Sequence, residues 1–236
     1  MRERLERLSQ AKASINDAHY LHYKYLFQDL RRAVATFGRG DVLDIGCGNK
    51  PYMELFQGRS TSYIGCDVVQ SDKDLVDILC PANDIPLPPA SRDTVITTQV
   101  LEHVADHAGV LAEAYRILRP GGHLIASAPM CWEHHEEPYD FFRFTKYGFD
   151  YLLKGAGFEV LEITANGGKW ALVGQILLNS IRSSCERRHG FRKFIWFVYA
   201  GLRVKWIVNG VFSWLDRIDR DDSSTLNFLV VARKPL

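Results

Sequence analysis

The chain has 236 residues, a length that fits one domain with an insertion or appended element. Hydrophobic residues make up 47% and aromatics 12%, enough for a full core. The formal net charge of +1 carries no nucleic-acid footprint, so no nucleic-acid partner is expected.

Residues 2–13 are charged, with Leu5 and Leu8 spaced as on a helix, and they lack the apolar core of a secretory signal. A second helix is predicted from about Ala18 to Phe37. Its Tyr20, Tyr23 and Phe27 recur at helical spacing, either as a packing face or as a lid over a ligand site. Residues 1–40 therefore read as N-terminal helices. From Asp41 the pattern changes. "VLDIG" reads as a buried strand and "KPYMELFQG" as the short helix after it. "SYIGCDVV" is a second strand ending at Asp67, "DLVDIL" a third and "DTVITTQV" a fourth. A helical stretch runs from about Glu102 through "AGVLAEAYRIL". "RPGG" reads as a turn before a fifth strand, "HLIASAPM". "TKYGFDYLLKGAG" is a helix with Thr145 as N-cap and glycines at its end. "FEVLEITA" and "LNFLVVAR" complete about seven strands.

Strands alternating with helices predict an α/β fold, a doubly wound Rossmann-like sheet. Ligands bind such sheets at the carboxyl ends of the strands. The core is expected over residues 41–168, with 226–236 as its last strand and a helical insertion, 169–225, before it.

The loop "DIGCGNKP" raises the question of which nucleotide it holds. A dinucleotide site needs G-x-G-x-x-G, but Pro51 stands where the third glycine belongs after Gly46 and Gly48. Asp44 lies two residues before the first glycine. A carboxylate there would repel a pyrophosphate and attract a cation. S-adenosylmethionine (SAM) has an ammonium, a sulfonium and no phosphate, so acid-x-Gly-x-Gly suits it better. Asp67, about twenty residues beyond the loop, is placed to accept both ribose hydroxyls.

Taken together, "VLDIGCGNKPY", "YIGCDVV", "NDIPLPPASRDTVITTQVLEHVAD" and "EAYRILRPGGHLIASAP" resemble the class I SAM-dependent methyltransferases, specifically the methyltransferase type 11 group. The resemblance covers about residues 40–165 and resumes in the last strand. It implies SAM as cofactor, with Asp44, Gly46 and Gly48 in the SAM loop and Asp67 on the ribose. It also implies Ala82, Asn83, Asp84 and Ile85 along the adenine and Gln99 near the methionine end. Pro81 departs from the pattern, because members often carry an acid there for the adenine amino group.

After the fifth strand comes "MCWEHHEEPYDFFRFT". Its His135, Pro138, Tyr139, Asp140, Arg143 and Thr145 resemble a run found in type 11 members, some of them encoded with surface-glycan or lipid-linked biosynthesis. Methyl transfer to a hydroxyl needs a base with a pKa near neutral, and histidine starts there. His135 is the candidate, with Glu136 or His134 as substitute. Arg143 either pairs with Asp140 to shape the loop or holds an anionic acceptor group. His103 and His107 lie four apart but lack the H-E-x-x-H arrangement, so no metal is expected. The five cysteines, Cys47, Cys66, Cys80, Cys131 and Cys185, are odd in number and show no Cys-x-x-Cys spacing. That points to a reducing compartment, hence the cytoplasm.

The insertion stands apart. From Lys169 to Leu215 eight bases face one acid, Glu186. Laid on a helix, Phe191–Arg220 shows a narrow polar stripe of Arg192, Tyr199, Arg203, Asn209, Ser213, Arg217 and Arg220 on an otherwise apolar surface. Apolar, aromatic and basic residues together suit a helix lying in an anionic membrane interface, here an inner membrane face. Covering the sheet and forming a homodimer contact are the competing readings. The functional expectation is O-methylation of a small-molecule or lipid-linked acceptor. The alternatives are a quinone or natural-product methyltransferase, or a non-catalytic scaffold.

Overall fold

The computed structural model describes residues 8–186 and 203–236. Seven strands form one sheet: β1 (Gly40–Ile45), β2 (Ser60–Asp67), β3 (Ile78–Leu79), β4 (Arg92–Thr98), β5 (Leu118–Pro129), β6 (Glu159–Asn166) and β7 (Asn227–Arg233). Their order is β3-β2-β1-β4-β5-β7-β6. Only β7 runs antiparallel, wedged between β5 and β6. The helices are α1 (Tyr20–Phe37), α2 (His107–Ile117), α3 (Lys146–Gly155), α4 (Lys169–Glu186) and α5 (Val204–Ile218).

Side chains on a strand alternate between faces, and here both faces are covered. Leu43, Ile45, Val95, Leu124 and Phe228 join the core beneath α2 and α3, with Leu111, Phe149 and Leu153. Their neighbours Val42, Ile96, Ile125, Leu229 and Val231 face the opposite way, onto Leu26, Phe27, Leu30 and Val34 of α1. Strand order reverses between β1 and β4. Their carboxyl ends therefore leave a crevice, where the glycine loop and Gln99 sit.

Several expectations are corrected. Residues 8–13 are not helical; they form an irregular strap, with Ala11 packed on the α1 face of the core and its carbonyl bonded by Arg31. The helix after β1 is a single tight turn, Met53–Phe56, and the third strand is only two residues long. "RPGG" is not a turn but the irregular start of β5, where the register with β4 shifts. Thr145 caps α3 as expected, accepting from the Gly148 N–H at 3.1 Å.

The insertion is helical on both sides of residues 187–202, which lie outside the described residues together with Arg192 and Tyr199 of the stripe. The proposed single helix does not reach back through Arg203, whose φ of 49° sets it outside α5. α5 also has its polarity reversed relative to a core helix. Asn209 and Asp216 are buried, while Trp206 (51% exposed), Trp214 (59%), Ile207, Val211 and Ile218 face outward. Asp216 fixes the pairing with α4, because its Oδ1 accepts from the N–H groups of Gly168 and Ala171, both at 3.0 Å. A side chain on Gly174 would meet Phe212 at 2.6 Å, so this glycine lets α5 approach α4. Asn209 donates to the carbonyls of Ile15 and Asp17 at 2.8 and 2.9 Å, tying the insertion to the N-terminal strap. The exposure expected for Trp206 and Trp214 is present; Trp196 and Phe197 lie outside the described residues.

Candidate active site

The crevice opens into a cavity of about 420 Å³ with two chemically different ends. At one end the loop after β1 turns back on itself. Gly46 has a φ of 71°, and a Cβ there would fall 2.3 Å from Val100, so no other residue fits without rebuilding the loop. The N–H groups of Gly46 and Cys47 both donate to the Cys66 carbonyl, at 2.8 and 3.1 Å. Asp67 ends β2 and meets this loop, its Oδ2 accepting from the Gly48 N–H at 3.2 Å and its Oδ1 from the Val68 N–H at 2.7 Å. Cys47 is buried and fits because Gly65 opposite has no side chain: a Cβ there would sit 2.5 Å from its sulfur.

Of the residues predicted to bind the cofactor, Gly46, Gly48, Asp67, Ala82 and Gln99 line this end of the cavity. Asp44 is not on the wall. It is buried behind the loop, where Tyr63 donates to its Oδ2 at 2.7 Å, and burial pushes its carboxyl up to about 7. Asn83 and Asp84 also leave the site. Asn83 donates to Asp106, the N-cap of α2, at 2.9 Å, and Asp84 is exposed on the turn that follows Pro81. Gln99 has a φ of 55°, rare for this residue type, and its amide is held by Ser127 at 3.1 Å.

The other end is built from three parts of the chain. His19, His22 and Tyr23 come from α1 and its N-cap, Trp132, Glu133, His135 and Glu136 from the loop after β5, and Arg182 from α4. Of the α1 aromatics, Phe27 is core, as the packing-face reading has it, and Tyr23, stacked on it at 5.1 Å, lines the cavity. Burial lowers His22 to about 3, so it is neutral, and its Nδ1 meets the Asn227 amide at 3.1 Å. Arg182 pairs with Glu133, bringing the insertion to the mouth of the cavity.

Arg143 organises the loop from behind rather than lining the cavity. Its guanidinium forks onto Asp140 at 2.6 and 2.8 Å and also bonds the carbonyls of Phe142 and Glu133. That pairing holds Asp140 at about 2. Asp140 in turn accepts from the His135 N–H at 3.2 Å. His134 points to solvent and does not reach the cavity.

Two more residues complete this corner, Glu102 and His103. Glu102 is fully buried, and neither carboxyl oxygen has a hydrogen-bond partner. His103 lies beside it, Nε2 to Oε1 at 3.9 Å, and its ring meets that of His135 edge-on at 4.6 Å. His107 is not part of this group; it packs on Phe142 and Phe144. In the sequence His135 stands out as a candidate base and His103 only as half of the His103–His107 pair; for Glu102 the one signal is proximity to Gln99 at the end of β4. The pairing with His135 is made by a loop 32 residues further on, which hydrogen-bonds through the Phe141 N–H to the Glu102 carbonyl at 2.8 Å.

The residues at the first end fit SAM. A carboxylate at the end of β2 faces a backbone loop that admits no side chain at Gly46, and Cys80 and Ala82 give the wall beyond it an apolar patch. Fold and site define a nucleoside-binding α/β domain of the class I methyltransferase type. A family model described as "Methyltransferase domain" matches residues 43–126, and that stretch is similar to the SAM-dependent methyltransferases, whose cofactor is SAM.

A protein of Mycolicibacterium smegmatis named "Probable S-adenosylmethionine-dependent methyltransferase" is 35% identical over 118 residues, 47% of this chain and 45% of the relative. The 27-O-demethylrifamycin SV methyltransferase of Amycolatopsis mediterranei is 31% identical over 98 residues, 35% of this chain and 36% of the relative. The chain therefore spans less than half the length of these curated relatives. Among solved structures, the [4+2]-cyclase SpnF superposes over 96% of this chain and 85% of its own, with a TM-score of 0.60 at 18% identity. This is a likeness of fold.

Proposed function

We propose that the chain O-methylates a glycan- or lipid-linked acceptor. SAM, when bound, supplies the methyl group and leaves as a neutral thioether. The acceptor oxygen would be the methyl carbon's new partner in place of sulfur, and the chain's own part is to take up the hydroxyl proton on a base. His135 is that base. Its Nδ1 lies 3.1 Å from the Glu133 carbonyl, a contact only a protonated nitrogen can make, so in the neutral ring Nε2 carries the lone pair. Asp67, Gly46 and Gly48 hold the nucleoside. Gln99 lies toward the methionine end, and Glu136 stands beside His135 on the acceptor wall.

The observation that carries this reading is the two-ended cavity, with the nucleoside loop at one end and the histidine corner at the other. Support for an oxygen acceptor comes from the Amycolatopsis relative, whose name specifies O-methylation. Support for a lipid-linked one comes from α4. Its Val173, Ile176 and Leu177 are exposed beside the outward tryptophans of α5, while its Arg182 reaches the cavity mouth. An acceptor held at a membrane surface by that face would be delivered to the same mouth. Among the described residues no helix is long and apolar enough to cross a membrane.

The test is incubation of the full chain with methyl-labelled SAM and separate pools of lipid-linked glycans, free glycans and phenolic or quinol small molecules. Label in a base-stable ether on the lipid-linked or glycan pool is the expected result. Label on the small-molecule pool would favour a natural-product methyltransferase. SAM binding with no transfer would favour a scaffold.

A further inference from the structure

We propose that Glu102, His103 and His135 form a binding site for one divalent first-row metal ion of the zinc type, at the acceptor end of the cavity. One ligand atom from each lies within 4.8 Å of the other two. Donors around a tetrahedral zinc with bonds of about 2.0–2.1 Å stand about 3.4 Å apart. The three must therefore draw in by roughly 1.4 Å at most, and His135 sits on a loop.

Three independent observations point to a cation. First, the Glu102 carboxyl is fully buried and neither oxygen has a hydrogen-bond partner, a costly arrangement that a bound ion would resolve. Second, both histidines are oriented as metal ligands usually are. His103 Nδ1 lies 2.7 Å from the Tyr139 carbonyl and His135 Nδ1 3.1 Å from the Glu133 carbonyl. A carbonyl only accepts, so Nδ1 carries the proton in each neutral ring and Nε2 the lone pair. Third, acids stand at the same end: Glu133 and Glu136 line the cavity there, and of the described cations close by, Arg143 is engaged with Asp140 and Arg182 with Glu133.

Two histidines and one carboxylate leave a coordination position open, the pattern of catalytic rather than structural zinc. Here His103 and His135 line the acceptor end of the cavity. The role of the ion rests on the methyltransferase reading. In the metal-loaded site it holds the acceptor hydroxyl oxygen and lowers its pKa; His135 then serves as a ligand and its role as base passes to Glu136, so His135→Ala lowers turnover in either state.

The test uses the full chain stripped with a chelator and titrated with cobalt(II) and with zinc. Expected are one equivalent bound and a cobalt visible band typical of nitrogen and oxygen ligands. At least a tenfold loss of affinity is expected in both Glu102→Gln and His135→Ala. Glu102→Gln keeps the buried shape, and His135 is partly exposed, so at least one variant should fold; circular dichroism checks this. No saturable binding by the wild type, or binding unchanged in both variants, overturns the proposal. SAM is titrated into the same samples. Metal binding without SAM binding upholds the ion site and sinks the methyltransferase reading, and SAM binding without metal binding does the reverse.

Discussion

Half-buried Tyr63 donates a 2.7 Å hydrogen bond to the buried Asp44, and this pair lies beneath the SAM loop rather than in it. Burial raises Asp44 to about 7 from an ordinary value of 3.8. Between those values the folded state holds a proton that the unfolded state has lost. The contribution to stability is therefore present at low pH, falls as pH rises from about 4 to about 7, and is flat above. Urea denaturation across that window should show a steeper decline for the wild type than for Asp44→Asn; Glu102, also raised by burial, to about 8, adds to the slope in both. A cationic ligand favours ionised Asp44, so SAM affinity should rise with pH through about 7 and lose that component in Asp44→Asn. Equal slopes in the two proteins would show that Asp44 does not titrate there.

Asp67→Ala should weaken SAM and S-adenosylhomocysteine alike, by roughly 1.5–3 kcal/mol for a lost charge-assisted bond. Calorimetry reads this directly. Unchanged affinity would take Asp67 out of the site, and tight NAD binding without SAM binding would undo the assignment of the loop.

His135→Ala should lower kcat by about 10²–10⁴ while leaving SAM affinity within a few-fold. Arg143 acts at one remove, through Asp140 and the loop carbonyls. Arg143→Lys cannot reproduce the fork, so it should lower kcat with SAM affinity kept. Retention of full turnover in His135→Ala on the true acceptor would move the base elsewhere.

Asp216 is buried and holds the first turn of α4. Asp216→Ala leaves two buried N–H groups unpaired and should cost about 2–4 kcal/mol in thermal or urea unfolding. A loss within experimental error would mean that α4 is anchored mainly by its apolar contacts.

The outward face of α4 and α5 should bind vesicles of anionic lipid, weakening with salt, and a double Trp206→Ser, Trp214→Ser variant should bind less. Co-sedimentation with anionic and neutral vesicles measures this. Sedimentation of the free protein as a dimer, lost in the double variant, would assign the face to a second copy instead.

The alternation of strands and helices, the α3 cap at Thr145 and the glycine loop were legible in the sequence, because each depends on residues near one another in the chain. Period-two apolar runs name a two-sided sheet wherever they occur, and a loop position that tolerates no Cβ, as at Gly46, must be glycine. Long-range partners were not legible. Asp44 has the spacing of a ligand-facing acid, but Tyr63 on the neighbouring strand draws it behind the loop, and only strand pairing brings those two together. The polar stripe laid over Phe191–Arg220 suggested headgroups, yet its Asn209 spends its polarity on the N-terminal segment, and Asp216, outside the stripe, is bound to α4, which turns the tryptophans outward. The corner of Glu102, His103 and His135 exists because the Phe141 amide stitches one loop onto the end of another strand. Local spacing determines what an element is. Which side chains share a buried volume is decided by packing between segments far apart in the chain, and no local pattern carries that information.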